Sequence, residues 1–423
     1  MKEKIAIIGS GISGLSVAYL LKNKYDLTLY EKNEYYGGHS RTKIIESGKA
    51  PIPIDTGFIV FNYKTYPNLT SLFNLLEVPV QKSKMSFGVS IRNGELEYAS
   101  QSLRSLFSQF RNIFNPSFLM MIRDIIKFNR ISKKRLRMGD LDSSLSLNEY
   151  LNELGVTEYF KVHYLLPMGA SIWSTPMKGM YDFPAKTFIR FFNNHGLLSI
   201  SCPVQWYTVK GGSIVYIKKL MDTLTLSNLK KNTGAISVKR SENQVTILDK
   251  LGHEKIFNKV IFATHSDEAL SLLEQPSSIE KELLSSIPYQ DNTMYLHSDE
   301  SFMPHSKKSW ASWVYLNETI NDDKDQISLS YWMNNLQNLS TKNNYFVTLN
   351  PSKPPKYGTI HDQHVFSHPV FTQNAIDSQS KIQNIQGDNN TFYCGAYLRY
   401  GFHEDGIWSA TRVAKKLGIK LPW

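Results

Sequence analysis

A glycine turn near the N-terminus, GSGISG at residues 9–14, constrains the fold more than any other feature. The apolar run at residues 4–8 predicts a short buried strand before it, and the spacing of apolar residues predicts a helix over 14–22. Residues 26–30 predict a second strand. A strand–helix–strand unit implies a parallel sheet, because parallel neighbours need a crossover connection. The chain is therefore predicted to open with an α/β domain.

Each glycine of this turn has a separate task if the loop binds a dinucleotide. Gly9 permits the tight turn, Gly11 lets the backbone approach a pyrophosphate, and Gly14 lets helix and strand pack closely. The helix that follows presents free N–H groups to the phosphates. Glu31 ends the second predicted strand, where a carboxylate can accept hydrogen bonds from ribose hydroxyls. A carboxylate at this place disfavours a 2′-phosphate and therefore NADP.

Length and composition set broad limits on the rest of the molecule. The chain has 423 residues, which predicts two domains, and its 41% hydrophobic and 20% charged content is typical of a folded protein. A net charge of +11 attracts anions, but neither zinc-finger spacing nor an RNA-binding aromatic signature accompanies it. We therefore expect no nucleic-acid partner. Cys202 and Cys394 are far apart and predict no metal site.

Beyond the first strand–helix–strand unit, the composition and the predicted secondary structure change several times along the chain. Residues 70–200 are rich in Phe, Met, Leu and basic residues with helix-like spacing. Further strands are predicted at 244–248, 259–263, 327–333 and 346–349, and a polar surface loop at 377–390. The end of the chain predicts a strand, a glycine-rich loop and a helix.

Two motifs after Glu31 carry a family resemblance. They are YGGHSRT at residues 36–42 and DTGF at 55–58. Together with the glycine turn they resemble the flavin amine oxidase superfamily, which includes monoamine oxidases, phytoene desaturases and protoporphyrinogen oxidases. The resemblance implies FAD as the cofactor. It also implies a basic residue at the pyrophosphate, either His39 or Arg41, and places the segment 56–59 beside the flavin ring.

The later segments extend the resemblance. The glycine pair at 211–212, followed by a helix over 214–220, the strand that contains Val238, and the strand ending near Ala263 are similar to family elements. The C-terminal stretches YCGA at 393–396 and GFHEDG at 401–406 resemble the family's final flavin motif, in which a helix N-terminus faces the N1/C2=O edge of the flavin. Such a terminus stabilises the negative charge of a reduced flavin.

The resemblance implies a Rossmann-type FAD-binding domain made from residues 1–75, 205–275 and 386–423. The substrate domain, helix-rich with a mixed sheet, then comprises 76–204 and 276–385. FAD is expected to be bound non-covalently. The predicted cofactor-binding residues are Gly9, Gly11, Ile12, Ser13, Gly14, Glu31, Lys32, Gly37, Gly38, His39, Ser40, Arg41, Thr56, Gly57, Phe58, Ile59, Val238, Ala263, Gly395, Glu404, Asp405 and Gly406.

Longer phrases, DTGFIVFN at 55–62, SYWMNNLQ at 330–337 and CGAYLRYGFHEDG at 394–406, resemble one bacterial branch of FAD-dependent oxidoreductases. Its members are associated with S-adenosylmethionine-dependent methyltransferases, and some resemble desaturases of furan fatty acid biosynthesis. This implies desaturation of a methyl-branched unsaturated acyl chain, in a phospholipid, by hydride transfer to flavin N5, with a methyltransferase as partner. The alternatives are an amine oxidase, a double-bond isomerase and a flavoprotein scaffold for the methyltransferase.

Three residues of the C-terminal motif are candidate proton acceptors: Tyr397, Tyr400 and His403. Each of them can equally serve as packing around the ring. Aromatic and sulfur-containing side chains elsewhere are candidates for the wall of an apolar substrate pocket. They are Met168, Trp173, Phe191, Phe192, Trp206, Tyr331 and Trp332.

Residues 101–138 combine nine basic residues and one acid with many apolar side chains. A basic amphipathic segment of this kind can dock on an anionic membrane, cover the substrate domain with a solvated basic face, or bind an acidic protein. The sequence has no signal peptide with a cleavage site and no apolar run long enough to span a bilayer. We therefore expect a cytoplasmic protein, peripheral on the inner face of the membrane.

Overall fold

The computed structural model describes residues 2–46, 50–173, 176–199, 204–225, 229–317 and 328–423, and Cys202 lies outside them. The strands in chain order are β1 (Lys4–Ile8), β2 (Asp26–Tyr30), β3 (Thr42–Ile45), β4 (Ile52–Asp55), β5 (Val80–Ser83), β6 (Phe87–Ile91), β7 (Leu96–Ala99), β8 (Trp206–Val209), β9 (Leu229–Lys230), β10 (Ala235–Arg240), β11 (Val245–Asp249), β12 (Glu254–Phe257), β13 (Lys259–Phe262), β14 (Tyr289–His297), β15 (Trp313–Asn317), β16 (Ser328–Trp332), β17 (Phe346–Leu349), β18 (Ile360–Pro369) and β19 (Thr391–Tyr393).

Helices connect and cover these strands, so the fold is a mixed α/β fold, as predicted. The α-helices are α1 (Ile12–Leu21), α2 (Pro67–Leu75), α3 (Leu103–Leu106), α4 (Pro116–Met138), α5 (Leu147–Leu154), α6 (Glu158–Phe160), α7 (Leu166–Trp173), α8 (Met177–Tyr181), α9 (Ala185–Asn194), α10 (Ile214–Met221), α11 (Ser266–Leu272), α12 (Ser278–Ser285), α13 (Met333–Gln337), α14 (Gln373–Asn384) and α15 (His403–Lys416). No helix within the described ranges has both the length and the apolar character needed to cross a bilayer.

A five-stranded parallel sheet, in the order β19-β13-β1-β2-β9, forms the centre of the first unit. Its strands come from the start, the middle and the end of the chain. Helices α1, α2, α10 and α15 share one apolar core on one face, while β10, α12 and α14 contribute to the core on the other face. The predicted parallel sheet is confirmed. Because the carboxyl ends of parallel strands meet at one edge, the loops after β1, β2 and β19 lie together.

The second unit contains a seven-stranded sheet in the order β18-β14-β17-β16-β15-β6-β7. Its pairs are antiparallel except for β15 and β6. Helices α4, α5, α7 and α9 bury their apolar faces in the same core as this sheet. Smaller pieces complete the fold: the three-stranded sheet β10-β11-β12 and the pairs β3-β4 and β5-β8.

One local prediction is wrong. The stretch predicted as a polar loop at 377–390 lies mostly in helix α14. Thr372 caps this helix, and Ala375, Ser378 and Ile382 form its buried face. Because this buried face is short and the rest of the helix is polar, the helical spacing of apolar residues is not evident in the sequence. The strand predicted at 327–333 is confirmed as β16, which ends at Trp332 because Met333 begins helix α13, and Ile327 lies outside the described residues.

Candidate functional site

The three glycines of the turn between β1 and α1 differ in what a side chain would meet. A Cβ atom on Gly9 would lie 2.7 Å from the carbonyl oxygen of Ala263, and φ of Gly9 is +101°. A Cβ atom on Gly14 would lie 1.9 Å from the carbonyl oxygen of Gly9, whereas one on Gly11 would meet no atom within 4 Å. The packing of the protein therefore requires glycine at 9 and 14. Gly11 meets no such demand, as expected where a ligand approaches the backbone.

The carboxylate of Glu31, at the end of β2, fixes this turn. Its Oε2 accepts from the backbone N–H of Ser10 at 3.1 Å and from the Ser10 hydroxyl at 2.5 Å, and its Oε1 accepts from the N–H of Asn33 at 2.8 Å. A carboxylate accepts about four hydrogen bonds, so a single position on Oε1 remains for a ribose hydroxyl. The neighbouring Lys32 turns to the surface, where it pairs with Glu268.

The double glycine lies directly against the turn. Gly37 and Gly38 have φ of +122° and +56°, a region that favours glycine. The N–H of Gly37 donates to the carbonyl of Ser10 at 3.0 Å, and a Cβ atom on Gly38 would lie 3.1 Å from the Cα atom of Gly11. The two glycine motifs therefore form one backbone surface, although 26 residues separate Gly11 from Gly37.

His39, which follows the double glycine, has a buried Nε2 atom with no hydrogen-bond partner among the described residues, although part of the residue remains accessible. Its ring packs against Phe366 at 4.9 Å and His368 at 5.3 Å between centroids, with His265 at 6.1 Å. Burial and the neighbouring histidines hold the pKa of His39 well below its ordinary value, so the ring is neutral. An unsatisfied buried donor or acceptor costs about 1–3 kcal/mol, which a ligand oxygen would relieve.

Arg41 has protein partners. Its guanidinium pairs with the carboxylate of Asp362 on β18 and donates to the hydroxyl of Thr56 at 3.2 Å. Both members of the ion pair are largely buried. Of the two basic residues that the motif offers to a pyrophosphate, Arg41 is neutralised by a carboxylate and His39 is not.

The segment after β4 runs alongside 39–41. The N–H groups of Thr56 and Phe58 donate to carbonyls of residues 39–41 at 2.8 Å. A Cβ atom on Gly57 would lie 2.1 Å from the carbonyl oxygen of His39. The carbonyl of Ile59 accepts from a threonine hydroxyl on β8 at 2.8 Å. The predicted flavin-side segment is therefore held by the double-glycine segment itself.

His403 joins the C-terminal motif to both segments. Its ring stacks on Phe58 with centroids 3.8 Å apart and planes 8° from parallel. Its Nε2 lies 2.7 Å from the hydroxyl of Ser40 and 3.0 Å from the hydroxyl of Tyr216. Burial of the ring lowers the pKa of His403 to about 3. At neutral pH His403 is therefore an uncharged hydrogen-bonding group and a weak base.

The N-termini of α1 and α15 meet at Gly406. A Cβ atom on Gly406 would lie 2.6 Å from Cγ2 of Ile12 and 2.9 Å from the hydroxyl oxygen of Ser13. Each terminus carries free N–H groups and a partial positive charge. Accessible surface remains along the strip beside them, at Gly9, Gly11, Gly38, His39 and His403.

The two acids of the C-terminal motif hold backbone. Glu404 accepts from the N–H groups of Asn68 at 3.2 Å and Leu69 at 3.0 Å, which belong to the first turn of α2. Asp405 accepts from the N–H of Phe402 at 2.9 Å and lies 3.5 Å from Arg399. Burial raises the pKa of Asp405 to about 7.

The two tyrosines predicted beside the flavin lie apart from each other. Tyr397 is buried in the core below the parallel sheet, its hydroxyl has no partner among the described residues, and burial raises its pKa. A Cβ atom on Gly395 would lie 2.3 Å from the ring of Tyr397. Tyr400 contacts Phe191 at 5.9 Å and the guanidinium of Arg399 at 5.5 Å. Tyr397 thus packs against one predicted cofactor residue, Gly395, whereas the side chain of His403 is hydrogen-bonded to another, Ser40.

The last predicted cofactor residues belong to neighbouring strands. Val238 lies in β10, is buried, and forms an isolated bridge with Leu273. Ala263 follows β13, and its N–H donates to the carbonyl of Ile8 at 2.8 Å. Ala263 therefore lines the glycine turn, whereas Val238 lies in the antiparallel sheet beside it.

An aromatic cluster lies beside the loop that carries His403. Phe191 stacks on His195 at 3.8 Å and on Phe402 at 4.9 Å, and contacts Trp173 at 4.8 Å. Trp206 stacks on His195 at 6.1 Å. We call these five residues the aromatic cluster. Burial lowers the pKa of His195 to about 4, so the cluster is uncharged. The other predicted wall residues lie in core outside it: Met168, Phe192, Tyr331 and Trp332.

Sequence reasoning missed three residues that the structure brings to this edge: Tyr216, His195 and His368. Tyr216 follows the glycine pair by one turn of α10, so its position was recognisable from that motif. His195 and His368 carry no local signal, because their partners are distant in the chain.

Comparison with known proteins agrees with this geometry. A family model described as an NAD(P)-binding Rossmann-like domain matches residues 7–76. A sequence comparison with curated proteins gives no match. The whole chain, however, superimposes on solved structures of oxidases and an isomerase.

The fold is shared with a variant of putrescine oxidase, with a TM-score of 0.69, 13% identity and 99% of both chains covered. Cyclohexylamine oxidase from Brevibacterium oxydans IH-35A gives a TM-score of 0.67 at 12% identity, covering 99% of this chain and 100% of that one. A CLA-producing fatty acid isomerase from P. acnes gives 0.66 at 15% identity, covering 98% of both. At such identities the likeness establishes the fold, which is that of these enzymes over the whole chain.

Proposed function

We propose that this chain is an FAD-dependent oxidoreductase that binds its cofactor non-covalently. One observation carries the proposal: the glycine turn, the double-glycine segment and the N-terminus of α15 come together at the carboxyl edge of the parallel sheet. A single glycine turn would serve NAD as well as FAD. A second helix N-terminus at the same edge is what a reduced flavin needs for its negative charge.

The residues at this edge divide the binding of FAD among them. Glu31 has one acceptor position left for a ribose hydroxyl, and Gly11 leaves its backbone accessible to a pyrophosphate. Neutral His39 supplies an N–H for a phosphate oxygen, which would satisfy its unpartnered Nε2. Cys394 is fully buried and burial raises the pKa of its thiol, so it offers no thiolate for a covalent link.

FAD, when bound, accepts a hydride from a substrate carbon. The residues of the chain orient the reactants and exclude water. Phe58 and His403 form a stacked, uncharged pair at the junction of three segments, and Ser40 and Tyr216 fix the orientation of the His403 ring. With a pKa of about 3, His403 is not an imidazolium at neutral pH, so it is not a general acid and is only a weak proton acceptor. Its proposed role is therefore to position the ring and the loop.

The substrate we propose is an apolar acyl chain, in the first instance a methyl-branched unsaturated chain of a phospholipid. The aromatic cluster adjoins the His403 loop and carries no charge. Trp173, Phe191 and Phe402 of the cluster belong to an apolar core that continues to the inner face of α4. An allylic C–H bond needs few polar groups around it, because no charged substrate atom has to be matched. The shared fold with a fatty acid isomerase supports the same class of substrate.

Two other activities have a specific observation in their favour. The shared fold with putrescine oxidase and cyclohexylamine oxidase favours an amine oxidase, and the shared fold with the isomerase favours a redox-neutral shift of a double bond. An ammonium substrate would require a charge partner or an aromatic cage, and the cluster provides only the second.

The three activities separate in one anaerobic experiment on the purified flavoprotein. A methyl-branched monoene phospholipid is expected to bleach the flavin, and putrescine and cyclohexylamine are not. Bleaching by amines alone would replace the desaturase with an amine oxidase. Product formation from the lipid with no net bleaching and no acceptor consumed would establish an isomerase.

A further inference from the structure

An exposed apolar and basic surface lies on the side of α4 that faces away from the core. It comprises α3, the 3₁₀ helix Phe110–Phe114 and α4, and we call it the 103–138 surface. Leu103, Phe110 and Phe114 are 76%, 71% and 72% exposed. Eight of the eighteen exposed large hydrophobic residues of the described chain fall in this stretch: Leu103, Phe110, Ile113, Phe114, Leu119, Met120, Ile126 and Met138.

The exposed side chains are arranged on one side. The rings of Phe110 and Phe114 contact each other at 5.5 Å, and Asn115 then caps α4. Phe118, Met121 and Phe128 point into the core, so the remainder of the helix surface faces outward. At 100° per residue, one outer stripe holds the following residues within about 80°: Leu119, Arg123, Ile126, Arg130, Lys134 and Arg137.

The positive charge of this surface is largely uncompensated. Among the described residues Arg123 pairs with Asp124 and Arg135 with Glu153, and no carboxylate pairs with Arg104, Arg130, Lys134 or Arg137. The sole acid of the stretch, Asp124, has a buried side chain that is bonded to Thr157 as well as Arg123. The outer face therefore presents cations beside protruding phenylalanine, leucine and methionine side chains.

We propose that the 103–138 surface docks on a bilayer that contains anionic lipid. The basic stripe matches phosphate headgroups, and the exposed apolar side chains at its N-terminal end reach the acyl boundary. An acidic protein would account for the charge, but it would leave several exposed apolar side chains in water. The inference does not require that the chain binds FAD, since vesicle binding and flavin content are measured separately.

The test measures partition of the purified full-length protein onto vesicles of phosphatidylcholine with and without phosphatidylglycerol. We expect strong binding only with phosphatidylglycerol, weakening as salt rises. Neutralising the outer stripe with Arg130→Gln, Lys134→Gln and Arg137→Gln should lower the partition coefficient about 100-fold, since each base near an anionic surface is worth roughly fivefold. Phe110→Ser with Phe114→Ser should lower it by about 10- to 100-fold.

Matched controls carry the same chemical changes elsewhere. Ile236→Ser with Ile256→Ser removes two apolar side chains of 54% and 55% exposure from the three-stranded sheet. Arg412→Gln, Lys415→Gln and Lys416→Gln removes three exposed bases from α15. Both controls should bind within about twofold of the unchanged protein.

Three outcomes would overturn the proposal. The first is that the unchanged protein fails to bind anionic vesicles, and the second is that the control variants lose as much binding as the test variants. The third is that the phenylalanine variant dissociates a dimer in lipid-free solution without changing vesicle binding. The last result would assign the surface to a second copy of the chain. If the phenylalanine variant fails to fold, the basic variant, whose side chains are solvent-facing, decides alone.

Discussion

The carboxyl edge of the parallel sheet, where the glycine turn, the double glycine and the N-terminus of α15 meet, adjoins the aromatic cluster at residues 402–403. Different physical interactions hold these two regions together. At the carboxyl edge, backbone approaches backbone so closely that Gly9, Gly14 and Gly57 admit no side chain, and directed hydrogen bonds join segments such as those of Ser40 and His403. In the aromatic cluster, rings from distant parts of the chain pack by area and shape. A change at the first region should therefore alter cofactor content, and a change at the second should alter substrate turnover while the cofactor stays bound.

The largest effect is expected for Gly14→Ala, because its Cβ would lie 1.9 Å from a carbonyl oxygen. Unfolding free energy should fall by at least about 4 kcal/mol, with loss of FAD. Gly11→Ala is the matched control for backbone chemistry: its Cβ meets no atom, so stability should change by less than about 0.5 kcal/mol while FAD affinity falls tenfold or more. Equal loss of stability in both variants would remove the distinction between a packing glycine and a ligand glycine.

Replacement of Glu31 is next in size. Glu31→Ala removes the acceptor for Ser10 and Asn33 as well as for the ribose, so FAD occupancy should fall at least tenfold and unfolding free energy by about 1.5–3 kcal/mol. Glu34→Ala, an exposed acid three residues on, should change neither. Full occupancy in the Glu31 variant, measured by flavin absorbance per chain, would show that the ribose is held elsewhere.

Substitutions of His39 and Arg41 should have different effects on FAD affinity and on melting temperature. His39→Ala should weaken FAD by about tenfold, with little change in melting temperature, because the buried Nε2 has no partner among the described residues to lose. Arg41→Ala breaks a largely buried ion pair with Asp362 and should mainly lower the melting temperature. A reversal of the two results would assign the pyrophosphate to Arg41.

These variants test the part of the site that sequence predicts well. The turn at 9–14, the strand before Glu31 and the glycine pair at 37–38 are short contiguous patterns, so their motifs identify them, although the atom that crowds Gly9 belongs to Ala263. Gly406 was likewise identified by its motif, and its contacts with Ile12 and Ser13 became apparent only in the structure. Helix α14 was missed because its buried face has only three residues, one of them a serine, among polar ones.

The aromatic cluster was predicted only in part, for a physical reason. Trp173, Phe191 and Trp206 were recognised as wall candidates from residue type, but residue type cannot separate them from core residues such as Phe192. Which aromatic side chains meet at the His403 loop depends on long-range packing, to which His195 and Phe402 also contribute.

A substitution in the aromatic cluster should leave the cofactor in place. Phe191→Leu keeps an apolar side chain but loses the stacking on His195 and Phe402. We expect unchanged FAD content and a rate of flavin reduction by the acyl substrate that is lower by roughly fivefold, because misplaced substrate reacts slowly. Trp332→Phe, in a separate core, should react at the original rate. Loss of FAD from the Phe191 variant would show that cofactor binding also depends on the aromatic cluster.

The last expected effect is a pH dependence where the two regions adjoin. Burial raises the folded-state pKa of Asp405 to about 7, above its ordinary 3.8, so its contribution to stability is complete below pH 3.8 and is lost as pH rises through 7. Unfolding free energy should therefore fall, relative to Asp405→Asn, by up to about 1.4 kcal/mol per pH unit in this window. Parallel stability curves for the two proteins would mean that Asp405 is ionised throughout.

The most direct test of the proposed function is the cofactor content of the purified protein. We predict a yellow protein that releases one FAD per chain on acid precipitation, because three segments of the chain and two helix N-termini meet at the carboxyl edge of the parallel sheet. A colourless protein that binds NAD and takes up no added FAD would contradict the account.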